Sequence, residues 1–82
     1  MPSLPTAVLR ASDLRSDDYQ HWHVCPSSQL GLQPGYFPPT IETDIGDGSP
    51  FQLERPVFDD RSKFLGVSYR QNGGSEVLVF LD

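Results

Sequence analysis

The fold is decided by the stretch FLGVSYRQNGGSEVLVFL, which occupies positions 64–81. Two runs rich in β-branched and aromatic residues flank Asn72-Gly73, a pair that tolerates the positive φ angles of a type I′ turn. The sequence therefore predicts a hairpin with a two-residue loop at this tip, in which Tyr69 pairs with Glu76. Cross-strand partners point to the same face, so one face collects apolar side chains. The residues of that face are Leu65, Val67, Tyr69, Leu78 and Phe80.

The second strand of this hairpin is apolar on its other face as well, because Val77, Val79 and Leu81 alternate with Leu78 and Phe80. A strand that is apolar on both faces is normally covered on both. We therefore predict that this last strand is central in the sheet and that its second face is covered within the chain. An oligomer interface on that face is the alternative.

A second hairpin is predicted upstream, where apolar residues alternate along positions 41–45. A three-residue loop at 47–49 pairs Ile45 with Phe51 and keeps the apolar side chains on one face. Pro56 cannot donate a hydrogen bond to a β-ladder, so the strand that begins at Phe51 is expected near an edge of the sheet.

The first 35 residues are less regular and predict short elements. Positions 7–10 and 20–25 are typical of strands, and positions 12–14 predict a single helical turn. Positions 27–30, followed by Gly31, predict another such turn, because glycine readily adopts the left-handed conformation that ends a helix.

Together these patterns predict a single small domain over residues 1–82 that is mostly β. We expect five or six short strands in a bent antiparallel sheet or a small barrel-like roll, with one or two single helical turns. An α+β arrangement, with one short helix packed on the sheet, is the alternative.

Charge and composition limit the partners of the chain. Eleven acidic and six basic residues give a formal charge of −5, whereas binding to duplex nucleic acid needs a basic face, so we expect no direct contact with nucleic acid. No apolar run approaches the ~20 residues of a membrane span, and the N-terminal stretch lacks the basic region of a signal peptide. Cys25 has no second cysteine to pair with, so we expect a cytoplasmic protein that does not bind membranes.

His21, His23 and Cys25 form the cluster with the clearest chemical potential. The two histidines lie two residues apart on a predicted strand and point to one face, so both could reach one metal ion. Cys25 is about 13 Å from His21 on a straight strand, too far to share a zinc ion with it. The chain has no third histidine, and no residue is identifiable that would orient His23 beside the thiol. We therefore expect a protein that is not an enzyme and has no cofactor; a small metal- or ligand-binding protein using His21 and His23 is an alternative.

The strongest functional pattern is a proline-rich aromatic segment at 32–39, which lies within an acidic span between Arg15 and Arg55 that contains no basic residue. Two aromatic residues between prolines form a stiff surface of the kind found in protein interfaces. We predict a small acidic protein–protein interaction module with an accessory or regulatory role, a monomer or homodimer that binds a protein partner. The candidate interaction residues are Trp22, Tyr36, Phe37, Glu42 and Asp44. For the aromatic segment, the alternative is that Phe37 and one neighbour close one end of the core. For the chain as a whole, a further alternative is an acidic mimic that inhibits a nucleic-acid-binding protein.

Overall fold

The chain forms one mixed β-sheet that curls into a half-barrel. The structure is a computed structural model, and it describes residues 7–16 and 23–82. The strands are β1 (Ala7–Leu9), β2 (Arg15–Ser16), β3 (His23–Pro26), β4 (Thr40–Thr43), β5 (Phe51–Phe58), β6 (Phe64–Arg70) and β7 (Glu76–Phe80). Two 3-10 turns, Ala11–Asp13 and Ser27–Leu30, are the helical elements of the described ranges. The mostly β prediction is confirmed, and both predicted single turns form.

The strands are ordered β1-β4-β5-β6-β7-β3-β2 across the sheet. The middle of the sheet, from β4 to β7, is antiparallel as expected. In addition, β1 joins β4 and β3 joins β7 in parallel. Parallel neighbours need a long connection, and here the chain crosses from β1 to the far edge of the sheet before it returns to β4. Because β1 contacts the second 3-10 turn and β3 contacts the first, the two ends of the sheet approach each other.

The turn at the tip of the C-terminal hairpin forms as predicted, but the ladder beyond it is shifted by one residue. Asn72 and Gly73 have φ angles of 45° and 72°, and the Gly74 N–H donates to the Gln71 carbonyl (2.7 Å). The Gln71 N–H, however, donates to the carbonyl of Ser75 (2.9 Å), so Gly74 is an extra residue in the loop.

This shift changes which side chains reach the core. Tyr69 lies opposite Val77, and the predicted pairing of Tyr69 with Glu76 is wrong. A slip of one residue moves a strand's side chains to the other face. Val77 and Val79 therefore join Tyr69 in the core cluster, in place of Leu78.

Strand β7 is central, as the two-sided apolar pattern predicts. Val77, Leu78 and Val79 are at most 1% exposed, so both faces of the strand are covered within the chain. The alternative of an oligomer interface on this strand therefore does not hold.

The upstream hairpin has a longer loop than expected. Ile41, not Ile45, lies opposite Phe51, a shift of an even number of residues that keeps the apolar side chains on the same face. The loop is held by Gln71, whose buried side-chain amide donates to the carbonyls of Ile45 (2.9 Å) and Ser49 (2.8 Å). A side chain from a neighbouring hairpin thus supplies the bonds that a tight turn would have made.

Replacing Gly66 tests the close approach of β6 to β7. A Cβ atom at this position would overlap the backbone carbonyl of Val79. We expect Gly66→Ala to lower the free energy of unfolding by about 3 kcal/mol or more. Gly73→Ala is the matched control, because that position opens to solvent and only its positive φ opposes a side chain, at a cost of about 1–2 kcal/mol. Urea unfolding followed by tryptophan fluorescence measures both, and equal losses would contradict the assignment.

Candidate functional site

The second half of β5 is an open edge within the sheet. Within β5, only Phe51 and Gln52 pair with β4, and the Leu53 N–H then donates to the carbonyl of Pro39 (2.8 Å). From Glu54 onward, β5 is paired with β6 alone among the described strands. The prediction of an edge position is therefore wrong for the start of β5, which is central, and right for its end, where Pro56 lies.

Three phenylalanine rings run from the core to this open edge. Phe37 packs against the core cluster and meets Phe64 edge to face, with ring centroids 6.0 Å apart. Phe64 meets Phe58 in the same way at 5.7 Å. Phe58 is 54% exposed, more than any other large hydrophobic residue in the described ranges. The rings thus form a support that displays Phe58 to solvent.

A β-bulge places Phe64 in this arrangement. The pairing of β5 with β6 shifts between Val57, opposite Gly66, and Phe58, opposite Phe64, so Leu65 is an extra residue. An extra residue reverses the alternation of faces. Phe64 consequently lies on the core side, where it can contact Phe37.

Leu53 extends the exposed apolar region towards the aromatic segment. Leu53 is 41% exposed and lies opposite Tyr69, whose buried hydroxyl donates to the carbonyl of Pro38 (2.7 Å). Burial raises the pKa of Tyr69, so this hydroxyl keeps its proton and remains a donor at neutral pH. We define the apolar surface as the apolar residues that lie on the proline-rich aromatic segment and on the exposed part of β5, and they are Tyr36, Phe37, Pro39, Leu53, Pro56 and Phe58.

The structure brings together only part of the predicted interaction set. Tyr36 and Phe37 are half-buried and belong to the apolar surface. Glu42 is exposed on β4 opposite Val8, on the side of the sheet edge formed by β1. Trp22 lies outside the described residues. Leu53 and Phe58 were not anticipated from the sequence.

Asp44 is engaged in the fold. Its carboxylate accepts the N–H of Ala11 (3.1 Å) at the start of the first 3-10 turn, and its own N–H donates to the carbonyl of Leu9 (3.3 Å). This carboxylate therefore holds the segment after β1 against the end of β4.

Most other carboxylates in the described ranges are engaged in the same way. Asp13, Asp47, Asp59 and Asp82 accept backbone N–H groups, while Glu54 and Glu76 pair with Arg70. Ser27 and Ser28 donate to Asp82, and these bonds lower its pKa to about 2. Within residues 7–16 and 23–82, Glu42 and Asp60 are the carboxylates that lack such a partner.

Arg70 joins three strands through two glutamates. Its Nε donates to Glu54 Oε2 on β5 (2.7 Å), and its Nη2 lies 3.3 Å from Glu76 Oε2 on β7. A shallow cleft of about 190 Å³ lies beside it, and its lining residues are Gln52, Leu53, Glu54, Arg70, Asn72 and Gly73.

The two glutamates have opposite pKa shifts. The hydrogen bond from Arg70 lowers the pKa of Glu54. Burial, and then the neighbouring Glu54 carboxyl, raise the pKa of Glu76, whose Oε2 is buried without a hydrogen-bond donor. Glu54 is therefore stabilised as the carboxylate, and Glu76 is the group that favours a proton.

The histidine and cysteine pattern does not assemble a centre in the described ranges. His23 is exposed, whereas Cys25 is completely buried and its thiol donates to the carbonyl of Pro26 (3.4 Å). His21 lies outside the described residues, and the described ones contain no cluster of three metal-ligating side chains. Over the same described residues, the structure contains no helix long and apolar enough to cross a bilayer.

Comparisons of the chain with protein-family models, with curated proteins and with solved structures give no match.

The structural role of Asp44 and the exposed position of Glu42 predict different effects of their alanine variants on the free energy of unfolding. We expect Asp44→Ala to lower the free energy of unfolding by about 1 kcal/mol, because the N–H of Ala11 loses its acceptor. Glu42→Ala, at an exposed position on the same strand segment, should change it by less than about 0.5 kcal/mol. Urea unfolding at neutral pH measures both, and an unchanged Asp44→Ala variant would assign its carboxylate to the surface.

The opposite pKa shifts of Glu54 and Glu76 predict that their contributions to stability depend on pH in opposite directions. A raised pKa in the folded state means that Glu76 stabilises the fold when protonated, and that this contribution is lost as the pH rises above 4.5, the ordinary value. The lowered pKa of Glu54 gives a contribution that is present above 4.5 and lost as the pH falls below it. Relative to wild type, Glu76→Gln should therefore gain stability as the pH rises, and Glu54→Gln should lose it. Unfolding curves from pH 3 to pH 8 measure both differences, and changes of the same sign would contradict the assignment.

Proposed function

We propose that this chain is a small non-catalytic interaction module that binds a protein partner through the apolar surface. The observation that carries the proposal is the half-exposed ring of Phe58, held by Phe64 and, through it, by Phe37. A single exposed apolar residue is ordinary on a protein surface, but several contiguous ones are typical of binding sites. Here the proline-rich aromatic segment reaches that ring through Phe37 and Phe64, and Leu53 lies on the same strand as Phe58, bonded to Pro39.

The support beneath Phe58 favours binding because it limits the entropy lost on association. An aromatic side chain has few rotatable bonds, and packing against Phe64 restricts them before a partner arrives. Pro39 and Pro56 stiffen the backbone on either side of Leu53. A surface fixed in this way offers a partner large apolar contact areas at low ordering cost.

The partner is held by side chains in this proposal and not by extension of the sheet. Pro56 lies in the open half of β5 and has no N–H to donate to an added strand. Proline on an exposed edge is one of the devices that prevent uncontrolled strand pairing. The apolar surface is thus available for contact with a partner, whereas the backbone edge of β5 is a poor template for the addition of a strand.

The other hypotheses gain no specific support. The acidic-mimic alternative needs carboxylates directed at a partner, and most of the described ones are directed at backbone N–H groups of the chain itself. The metal-binding alternative needs His21 beside His23, and stays a prediction. We place the module in the cytoplasm, where the thiol of Cys25 stays reduced.

A partner can be identified and assigned to this surface with matched variants. The wild-type protein, Phe58→Ser, Leu53→Ser and Val8→Ser are immobilised and exposed to an extract of the source organism, and the retained proteins are quantified by mass spectrometry. Val8 is the control, because it is as exposed as Leu53 (41%) but lies on β1 at the edge of the sheet. We expect a protein that wild type and Val8→Ser retain equally and that Phe58→Ser and Leu53→Ser lose at least tenfold.

The stability of the same variants shows whether a loss of binding is caused by a loss of folding. Since Phe58 and Leu53 are substantially exposed, their replacement should change the free energy of unfolding by less than about 1 kcal/mol. Phe37→Ala, by contrast, removes a ring that packs against the core and should cost about 2–4 kcal/mol. A partner retained equally by all the surface variants would refute the proposed site.

A further inference from the structure

We infer that Asn72 is a site of spontaneous deamidation, and that the loss of its amide separates the two loops that this side chain joins. The inference goes beyond the proposed function, because it concerns a covalent change of the chain itself and needs no partner. Asparagine is among the chemically labile residues. Asn72 is the single asparagine of the chain, and Gly73 follows it.

The reaction exchanges one molecule of water for one of ammonia. The backbone nitrogen of Gly73 gives its proton to solvent and attacks Cγ of Asn72. The Cγ–Nδ2 bond breaks, and Nδ2 takes a proton from solvent and leaves as ammonia, so that a succinimide ring remains. Water then opens this ring at either of its carbonyl groups. The products are aspartate, with the original backbone, and isoaspartate, in which the backbone runs through the side chain.

The turn presents both reacting groups to solvent. Asn72 and Gly73 are exposed, and the hydrogen bond that closes the turn uses the carbonyl of Gln71 and the N–H of Gly74. The N–H of Gly73 makes no hydrogen bond with the described residues. Because glycine has no Cβ atom, no side chain hinders the approach of this nitrogen to Cγ of Asn72. The attacking nitrogen and the water that completes the reaction therefore both have access.

The chain contains one comparable pair, Asp47-Gly48, and it is less suited to this reaction. The N–H of Gly48 donates to the carbonyl of Ile45 (3.2 Å). Hydrogen bonds from Ser49 and then from Asn72 lower the pKa of Asp47, so its side chain is a carboxylate at neutral pH. A negatively charged carboxylate is a poorer target for a nucleophile than a neutral amide. The comparison thus favours Asn72 as the site of modification.

The amide of Asn72 joins the tip of the C-terminal hairpin to the loop at 44–50. Its Nδ2 donates to Oγ of Ser49 (2.9 Å) and to Oδ2 of Asp47 (3.4 Å). A carboxylate in its place has no proton to donate, and it brings a second negative charge beside Asp47. Isoaspartate also adds a backbone atom to the turn that sets the pairing of β6 with β7. Deamidation therefore weakens the contact between the loops and lowers the stability of the fold.

Incubation of the full-length folded protein at mildly alkaline pH tests the modification. Trypsin cleaves after Arg70, the last basic residue of the chain, so Asn72 is recovered in the peptide 71–82. We expect this peptide to gain one mass unit with time, as a mixture of isoaspartate and aspartate at position 72. The amide of Gln71 is the control in the same peptide, because it is buried, donates to two carbonyls and should stay unchanged.

Three outcomes of this incubation would overturn the assignment. They are a constant mass, a gain that fragmentation places at Gln71, and aspartate at position 72 without isoaspartate. The last result would show direct hydrolysis of the side chain, which leaves the backbone unchanged and does not involve the nitrogen of Gly73.

The separation of the loops is tested with freshly purified variants. Asn72→Asp should lower the midpoint of urea unfolding at neutral pH, because aspartate tolerates the same left-handed backbone but repels Asp47. The double variant Asp47→Asn/Asn72→Asp exchanges the amide and the carboxylate, and it should recover most of that loss. An unchanged midpoint in Asn72→Asp, or a loss that the double variant does not recover, would contradict the role given to this contact.

Discussion

The register between β6 and β7 is the constraint on which the rest of the structure depends. Gly74 adds one residue to the hairpin loop, and that residue decides which face of β7 joins Tyr69 in the core. Because β7 also pairs in parallel with β3, the same register positions Cys25 beside Val79. The sheet then curls so that its core face encloses the apolar side chains of the core cluster. A domain of this size has little apolar area to spare, so a slip that exposed one set of side chains would not be compensated elsewhere.

Polar side chains hold the loops and turns that the strand ladders do not reach, and this explains much of the acidic composition. Gln71 holds the loop at 44–50, Asp44 joins the segment after β1 to β4, and Asp82 holds the second 3-10 turn. Each carboxylate accepts N–H groups that short turns leave without a partner. Much of the net charge of −5 therefore comes from carboxylates that hold loops and turns by accepting backbone N–H groups. These carboxylates keep their charge, but their oxygens already accept hydrogen bonds within the chain.

Local signals in the sequence were sufficient for the turns and for the two-sided β7, and insufficient for the registers and the complete site. Asn72-Gly73 and Gly31 adopt positive φ as their residue types favour. The register beyond Asn72 includes Gly74 as an extra residue, and at this point the Gln71 side chain bonds to a loop distant in sequence, which no local pattern predicts. Tyr36 and Phe37 were found from their proline neighbours. Phe58 was missed because bulges interrupt the alternation on both strands, so no periodic pattern in the sequence marks it as exposed.

The core and the apolar surface share one ring, Phe64, which touches Phe37 on one side and Phe58 on the other. Any change at Phe37 or Phe64 therefore alters stability and binding together, and says little about either. Phe58 differs because the residue is more than half exposed while its ring still packs against Phe64. The bulge at Leu65 is the cause of both properties, since without it Phe64 would lie on the opposite face of β6. The irregularity that closes this end of the core is thus the same one that displays the aromatic anchor.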